Sequence, residues 1–209
     1  MVVRVITHYE KIRATYVSSP KVANTSIKAA LLKAEGIEFG DAPHHGDLPV
    51  TVLMPNAVDW AHRRRSFTFA FVRNPWDRLV SAWADKCGEN SDVDMTAYGL
   101  PMGCTFERFV EVAAELDDTY AEPHFKSQSL NLLHDGQLIP SYIGRFETID
   151  HDWKVVEAAI AAKSGIGVPT LAKHRASERQ AYRIYYTPRL AMLVERRYET
   201  DIRLFGYRF

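Results

Sequence analysis

The sequence predicts an α/β domain in which a central parallel sheet is flanked by helices. Two apolar, β-prone runs, residues 13–17 and 67–72, each end in a polar loop that opens a helix-forming run. Strands that alternate with helices are typical of parallel sheets, because parallel strands need a crossover connection. A chain of 209 residues, 46% of them hydrophobic, suits a single domain with its own core, covering residues 1–209.

The same patterns predict the other elements in chain order. Residues 2–7 suggest a first strand or hairpin arm, and residues 25–34 suggest a helix that stops at Gly36. Glycines and prolines between residues 40 and 60 indicate a long loop with little regular structure. The remaining predictions are a connection over 87–103, a helix over 105–116, a strand over 142–146, a helix over 152–163, a loop or lid over 167–182 and a helix from Thr187 and Pro188 through Tyr198.

The loop after the first of the two strands has the features of an anion-binding turn. Lys21 lies in this loop, and Ala23, Asn24, Thr25 and Ser26 follow it at the start of the predicted helix. A helix N-terminus carries unpaired N–H groups and a partial positive charge, which together attract anions. The glycine and lysine spacing of a P-loop is absent. A basic turn capped by Thr25, without a ligand, is the alternative.

The second strand leads into a similar junction. Arg73 stands at its carboxyl end, Asn74 suits a helix N-cap, and Pro75 suits the first helical position. Ser81, two turns into the helix, is placed to point back toward the same anion. Ligands of open α/β sheets collect at the carboxyl ends of strands. Two such junctions in one domain indicate a ligand with two separate anionic groups.

These segments resemble the PAPS-dependent sulfotransferases, in particular the carbohydrate sulfotransferase or family 2 type. Residues 20–28 resemble that family's 5′-phosphosulfate loop, although Ala23 and Asn24 stand where many members have a glycine–cysteine pair. Residues 71–82 resemble its 3′-phosphate motif. PAPS, 3′-phosphoadenosine 5′-phosphosulfate, has the two separated anionic ends that the two junctions require. Further similarities follow in the family's order, so that the resemblance covers residues 13–209; they lie at 122–128, 142–148 and 185–207.

The resemblance implies a P-loop-NTPase-like sulfotransferase fold and transfer of the sulfuryl group of PAPS to a hydroxyl acceptor, with saccharides among the expected acceptors. PAPS would be the co-substrate, and no metal is expected. Lys21 is the expected catalytic cation and His124 the expected base, with His44, His45 and Glu147 as alternative bases. The expected nucleotide-binding residues are Lys21, Ala23, Asn24, Thr25, Ser26, Arg73, Ser81, Arg175 and Ser177.

The composition narrows the class of protein. The formal net charge of zero, from 26 basic and 26 acidic residues, argues against a nucleic-acid partner. Two cysteines make neither a disulfide framework nor a metal cluster and favour a reducing compartment. No signal peptide or membrane-spanning run is found in the sequence, which predicts a cytoplasmic location. The pattern of residues does not determine the oligomeric state or the identity of the acceptor.

Three other functions stay open at this stage. A nucleotide kinase on a P-loop-like fold would also bind phosphates at these junctions, although the sequence lacks the P-loop pattern and an evident Mg²⁺-binding carboxylate motif. A noncatalytic protein could keep the nucleotide site without turnover. In a purely structural α/β module, both loops would be ordinary helix caps.

Overall fold

The computed structural model describes residues 5–40, 48–88, 93–172 and 180–209, without the side chain of Trp60. The strands are β1 (Ile6–Tyr9), β2 (Ala14–Val17), β3 (Thr51–Leu53), β4 (Phe67–Val72), β5 (Leu133–His134), β6 (Gln137–Leu138) and β7 (Tyr142–Arg145). The α-helices are α1 (Asn24–Glu35), α2 (Trp60–Arg65), α3 (Pro75–Lys86), α4 (Phe106–Glu115), α5 (Gln128–Leu132), α6 (Ile149–Ser164), α7 (Pro188–Arg197) and α8 (Glu199–Phe205).

The described residues form two compact units, which we treat separately. The sheet unit contains residues 5–40, 48–72 and 131–172, and the helical unit contains residues 73–88, 93–130 and 180–209. The predicted extent of a single domain over residues 1–209 stays a prediction.

The sheet unit confirms the predicted α/β class. Its five-stranded sheet has the order β3-β1-β2-β4-β7. Strands β2, β4 and β7 are parallel, with Tyr16 beside Phe69 and Phe69 beside Tyr142. Strand β1 runs antiparallel to β2, because the short turn between them can join only antiparallel strands. Strand β1 also runs antiparallel to β3. The sheet is therefore mixed, with a parallel half that leads into the helices.

Aromatic side chains fill the core of the sheet unit. Phe69 packs against Tyr16 at a ring-centroid distance of 5.2 Å and against Trp153 of α6 at 6.4 Å. Phe71 lies 6.4 Å from Trp153, and all of these rings are almost fully buried. Burial of one such side chain stabilises the fold by about 1.5–3 kcal/mol. The alternation of large apolar residues in β4 therefore attaches α6 to the sheet.

Local sequence signals place several helix ends correctly. Helix α3 begins at Pro75, and the Asn74 side chain accepts a hydrogen bond from the Trp76 N–H at 3.0 Å. Thr105 caps α4, and Gly36 ends α1 with a φ of 83°. The predictions of these three helix ends are confirmed.

Other boundaries were predicted wrongly. Residues 40–60 were predicted as a loop with little regular structure, but the described residues among them contain β3, a short 3₁₀ helix at Pro55–Ala57 and the start of α2. Strand β3 pairs with β1, but Thr51 and Val52 are exposed, so this short strand lacks the buried face that an apolar alternation would reveal. Helix α6 begins at Ile149, three residues earlier than predicted. In its first turn the Asp152 carboxylate accepts hydrogen bonds from the Arg145 N–H and from the hydroxyls of Thr148 and Tyr142.

The predicted C-terminal helix agrees with α7, which has Tyr198 as its C-cap, and a further helix that was not predicted, α8, follows. The Tyr198 hydroxyl donates to the carbonyl of Phe125 at 2.6 Å, and its backbone angles, φ −112° and ψ 27°, separate α7 from α8. The start of α7 agrees with prediction, because Thr187 accepts from the Leu190 N–H.

Within the part of the chain that the structure describes, no helix has the length and apolar character needed to cross a membrane. The cytoplasmic location stays a prediction.

We expect Gly144→Ala to destabilise the protein by about 1–3 kcal/mol, because the new methyl group overpacks the core. A Cβ at Gly144 in β7 would lie 2.5 Å from Cε1 of Phe71, whose ring is held by Phe69 and Trp153. Urea denaturation measures the loss. Gly167→Ala is the matched control, since a Cβ there meets nothing within 4 Å. Equal stability of the two variants would contradict this account of the β4–β7 contact.

Candidate functional site

The carboxyl ends of the parallel strands lie at one edge of the sheet unit. Val17 of β2 pairs with Ala70, and Val72 of β4 pairs with Arg145 of β7. The loop 18–23 therefore leaves β2 at this edge, and β4 ends at the residue before Arg73. This edge of an open α/β sheet is where ligands bind.

The backbone of the first loop is strained. Lys21 and Ala23 have φ angles of 67° and 64°, in the left-handed region that residues with a Cβ seldom adopt. Such conformations cost on the order of 1–3 kcal/mol each and cluster at ligand sites. Ala23 occupies the N-cap position of α1, and no side chain caps the helix. The expected Thr25 cap is therefore wrong, while the alternative of a turn without a ligand stays open.

Three buried polar atoms at this loop have no hydrogen-bond partner among the described residues. They are Oγ of Ser18, Oγ of Ser19 and Oδ1 of Asn24. Leaving a buried polar atom unpaired costs about 1–3 kcal/mol, so native proteins usually satisfy it. The two serine hydroxyls can donate to an anion at the N-terminus of α1, whereas Oδ1 of Asn24 accepts and needs a donor group of the ligand.

The predicted binding residues of this loop lie around the same helix start. Lys21, Ala23, Asn24 and Thr25 are half-buried, and Ser26 is buried. Lys28 was not predicted as a binding residue from the sequence. It is also half-buried and lies one helical turn after Asn24. Burial lowers the pKa of Lys28, because desolvation disfavours its ammonium form. A bound anion would offset that cost.

In the helical unit, Arg73 is buried and its guanidinium is already oriented. Its side chain is 7% exposed, and Nε donates to Oδ2 of Asp77 at 2.7 Å. Ser81 is buried as well and lies one turn after Asp77 on the same face of α3. Asp77 was not predicted as a site residue, although its position four residues after Arg73 is the spacing of an ion pair on a helix.

The backbone of Arg73 is held by Gln128. The Gln128 side chain accepts from the Arg73 N–H at 2.9 Å and donates to the Arg73 carbonyl at 2.8 Å. Asp201 in turn accepts from the N–H groups of Gln128 and Ser129 at 2.7 and 2.8 Å. Gln128 and Asp201 appeared in the sequence only as parts of longer similar segments, without a role.

His124 lies on a short 3₁₀ helix, Pro123–Phe125, that Glu122 caps. Its Nδ1 lies 2.6 Å from Oε1 of Glu122, and its backbone N–H donates to Oε2 at 2.7 Å. Burial alone would raise the pKa of Glu122, but the hydrogen bonds and charge of His124 outweigh it and hold that pKa below its ordinary value. When Nδ1 carries the proton, Nε2 is the basic nitrogen, which is the arrangement of a general base with an orienting carboxylate.

Some predicted residues lie outside the described part of the chain. These are Arg175 and Ser177 and the alternative bases His44 and His45. The third alternative base, Glu147, is exposed on the 3₁₀ helix Phe146–Thr148 of the sheet unit. Within the described ranges, no three His, Cys, Asp or Glu side chains are grouped as metal ligands.

Comparison with known proteins agrees with these features. A protein-family model described as "Sulfotransferase family" matches residues 5–208. The chain belongs to this sulfotransferase family. It is also similar to carbohydrate sulfotransferase 10 from Pongo abelii, with 22% identity over 236 residues. That match covers 95% of this chain but only 65% of the relative's length. No solved structure matches this sulfotransferase-family chain.

We expect Glu122→Gln to lower stability by about 1.5–3 kcal/mol at pH 7, because it removes a charged hydrogen-bond acceptor. The folded state holds the pKa of Glu122 below the ordinary 4.5, so this stabilisation is present above about pH 4.5 and is lost as the pH falls. Urea titrations between pH 7 and pH 3 should therefore show a flatter pH dependence in the variant. The exposed Glu115→Gln serves as control, and parallel curves for wild type and Glu122→Gln would contradict the assignment.

Proposed function

We propose that this sulfotransferase-family chain transfers the sulfuryl group of PAPS to a hydroxyl of a saccharide. The observation that carries the proposal is the β2–α1 loop. There a lysine, a strained backbone and three buried polar atoms without a partner among the described residues meet a helix start that has no side-chain cap from those residues. A phosphosulfate supplies the negative charge and the hydrogen-bonding oxygens that such a loop lacks. The name of the similar carbohydrate sulfotransferase supports a saccharide as acceptor.

The two anionic ends of PAPS are proposed to have separate binding residues. The loop residues Lys21 and Ala23 through Ser26 bind the 5′-phosphosulfate, and Arg73 and Ser81 bind the 3′-phosphate. Arg73 suits this role because its guanidinium offers several donors to phosphate oxygens. Arg175 and Ser177 are proposed as further nucleotide contacts.

Catalysis in this proposal combines charge neutralisation with proton removal. The acceptor oxygen forms a bond to sulfur while the bond from sulfur to the 5′-phosphate oxygen breaks, and 3′-phosphoadenosine 5′-phosphate leaves. Lys21 stabilises the charge that develops on the leaving phosphate, as cations do in phosphoryl transfer. Nε2 of His124 takes the proton of the acceptor hydroxyl, and Glu122 holds the ring in the required tautomer.

Thermal unfolding with 3′-phosphoadenosine 5′-phosphate tests the nucleotide site. At about 100 times its Kd the ligand stabilises the protein by about 2.7 kcal/mol, which corresponds to a rise in Tm of about 5–10 °C for a chain of this size. ATP and AMP should give smaller shifts at equal concentration. Arg73→Ala should lose the selective shift, whereas Arg203→Ala, at an exposed position, should keep it. A larger shift with ATP would favour a kinase instead.

Sulfate transfer from labelled PAPS to a panel of saccharides tests the catalytic roles. We expect His124→Ala to lower kcat by about 10²–10⁴-fold, the usual contribution of a general base. Lys21→Ala should lower kcat as well, because it removes the charge that stabilises the leaving group. His151→Ala and Lys154→Ala replace the same residue types at exposed positions of α6 and should keep wild-type turnover. Nucleotide binding without turnover on any acceptor would identify a noncatalytic binding protein.

A further inference from the structure

The backbone of Arg73 needs hydrogen-bond partners that the sheet does not supply. The ladder between β4 and β7 ends with the pair Val72 and Arg145, so the next residue lies beyond it. Arg73 is nevertheless 6% exposed. A buried N–H and C=O without partners would each cost free energy, and the segment would shift to reach water.

Gln128 provides both partners from a single side chain. Its Oε1 accepts from the Arg73 N–H and its Nε2 donates to the Arg73 carbonyl, at 2.9 and 2.8 Å. This amide copies the paired donor and acceptor of a neighbouring strand. Because Gln128 is 0% exposed, water does not compete for these two bonds.

Asp201 fixes Gln128 in turn. Its two carboxylate oxygens accept from the N–H groups of Gln128 and Ser129, the first two residues of α5. Asp201 is also 0% exposed, and its charge interacts with the cations Arg78 and Arg197. The start of α5 is thus tied to α8 through a buried carboxylate whose charge is compensated.

Arg73 is therefore held at both ends, its backbone by Gln128 and its guanidinium by Asp77 at 2.7 Å. A long arginine side chain loses rotamer freedom when it binds a phosphate. The contact with Asp77 removes part of that cost in advance, and the fixed backbone determines where the restricted side chain points. Contacts that fix a binding side chain increase affinity without touching the ligand.

We propose that Gln128 and Asp201 are positioning residues that determine how tightly Arg73 binds the phosphate of a nucleotide. This inference rests on the proposed function, in which Arg73 binds the 3′-phosphate. Neither residue is proposed to contact the ligand. Their effect should appear only in the part of the binding that depends on that phosphate.

Calorimetric titration with two nucleotides isolates this part. 3′-Phosphoadenosine 5′-phosphate and AMP differ only by the 3′-phosphate. The Kd of AMP divided by the Kd of 3′-phosphoadenosine 5′-phosphate therefore measures what the 3′-phosphate contributes to binding, and the loss of this ratio in Arg73→Ala measures the share that depends on Arg73. Gln128→Met keeps the side-chain size but removes both hydrogen bonds to Arg73. We expect it to lower the ratio about three- to tenfold, as the loss of one or two hydrogen bonds implies, while the Kd of AMP stays within about twofold. Asp201→Asn should lower the ratio by less.

Two further variants separate positioning from a general structural role. Gln128→Glu keeps an acceptor for the Arg73 N–H but sets a carboxylate oxygen against the Arg73 carbonyl in a fully buried site, so it should lower both the ratio and the stability that urea denaturation measures. Gln128→Met combined with Arg73→Ala should be no worse than Arg73→Ala alone, because a positioning residue has no effect once its target is gone. Gln137→Met and Asp135→Asn, the same substitutions at exposed residues, should leave the ratio unchanged.

The outcomes distinguish this inference from the function on which it rests. A wild-type protein that binds both nucleotides equally overturns the proposed role of Arg73 itself. The positioning role alone is overturned if the wild type prefers the nucleotide with the 3′-phosphate but Gln128 variants weaken the binding of both nucleotides equally. It is also overturned if Gln128→Met adds its full effect to that of Arg73→Ala.

Discussion

The parallel pairing of β2 with β4 is the constraint on which the sheet unit and its ligand edge depend. With Val17 beside Ala70, both strands end at the same edge, so the β2–α1 loop and the end of β4 lie there together. The large rings of β4 keep this register because they pack between Tyr16 and Trp153. A shift by one residue would turn these rings to the opposite face of the sheet. The edge is therefore positioned by the aromatic core.

The helical unit depends on buried charge rather than on a sheet. Arg78 is 2% exposed and donates to the Lys126 carbonyl at 2.7 Å, while Arg197 pairs with Asp118. Burial lowers the pKa of Arg78, and the charges of Asp201 and Asp118 oppose that effect. Buried ion networks add little net stability but penalise arrangements in which one partner is missing. This network thus selects the one packing in which Asp201 reaches the start of α5.

Signals within a few residues predicted much of this fold. The Asn74 cap with Pro75 predicted the start of α3, and Gly36 predicted the end of α1, because capping is a local interaction. Strand β3 was missed because it has only 3 residues, of which Thr51 and Val52 are exposed, in a segment whose glycines and prolines indicated a loop. Helix α8 was missed because its start at Tyr198 depends on a hydrogen bond to Phe125, 73 residues away in the chain.

By itself, the sequence determined the two strand–loop–helix junctions, the positions of Lys21 and Arg73 in them and the order of motifs that resembles the sulfotransferases. These features are short in sequence and depend on residue type and spacing. Only the tertiary structure decided that Gln128 holds the backbone of Arg73 and that Asp201 holds Gln128. Contacts between residues 55 and 73 positions apart leave no periodic pattern. They form because buried polar groups must find partners wherever the packing brings one within reach.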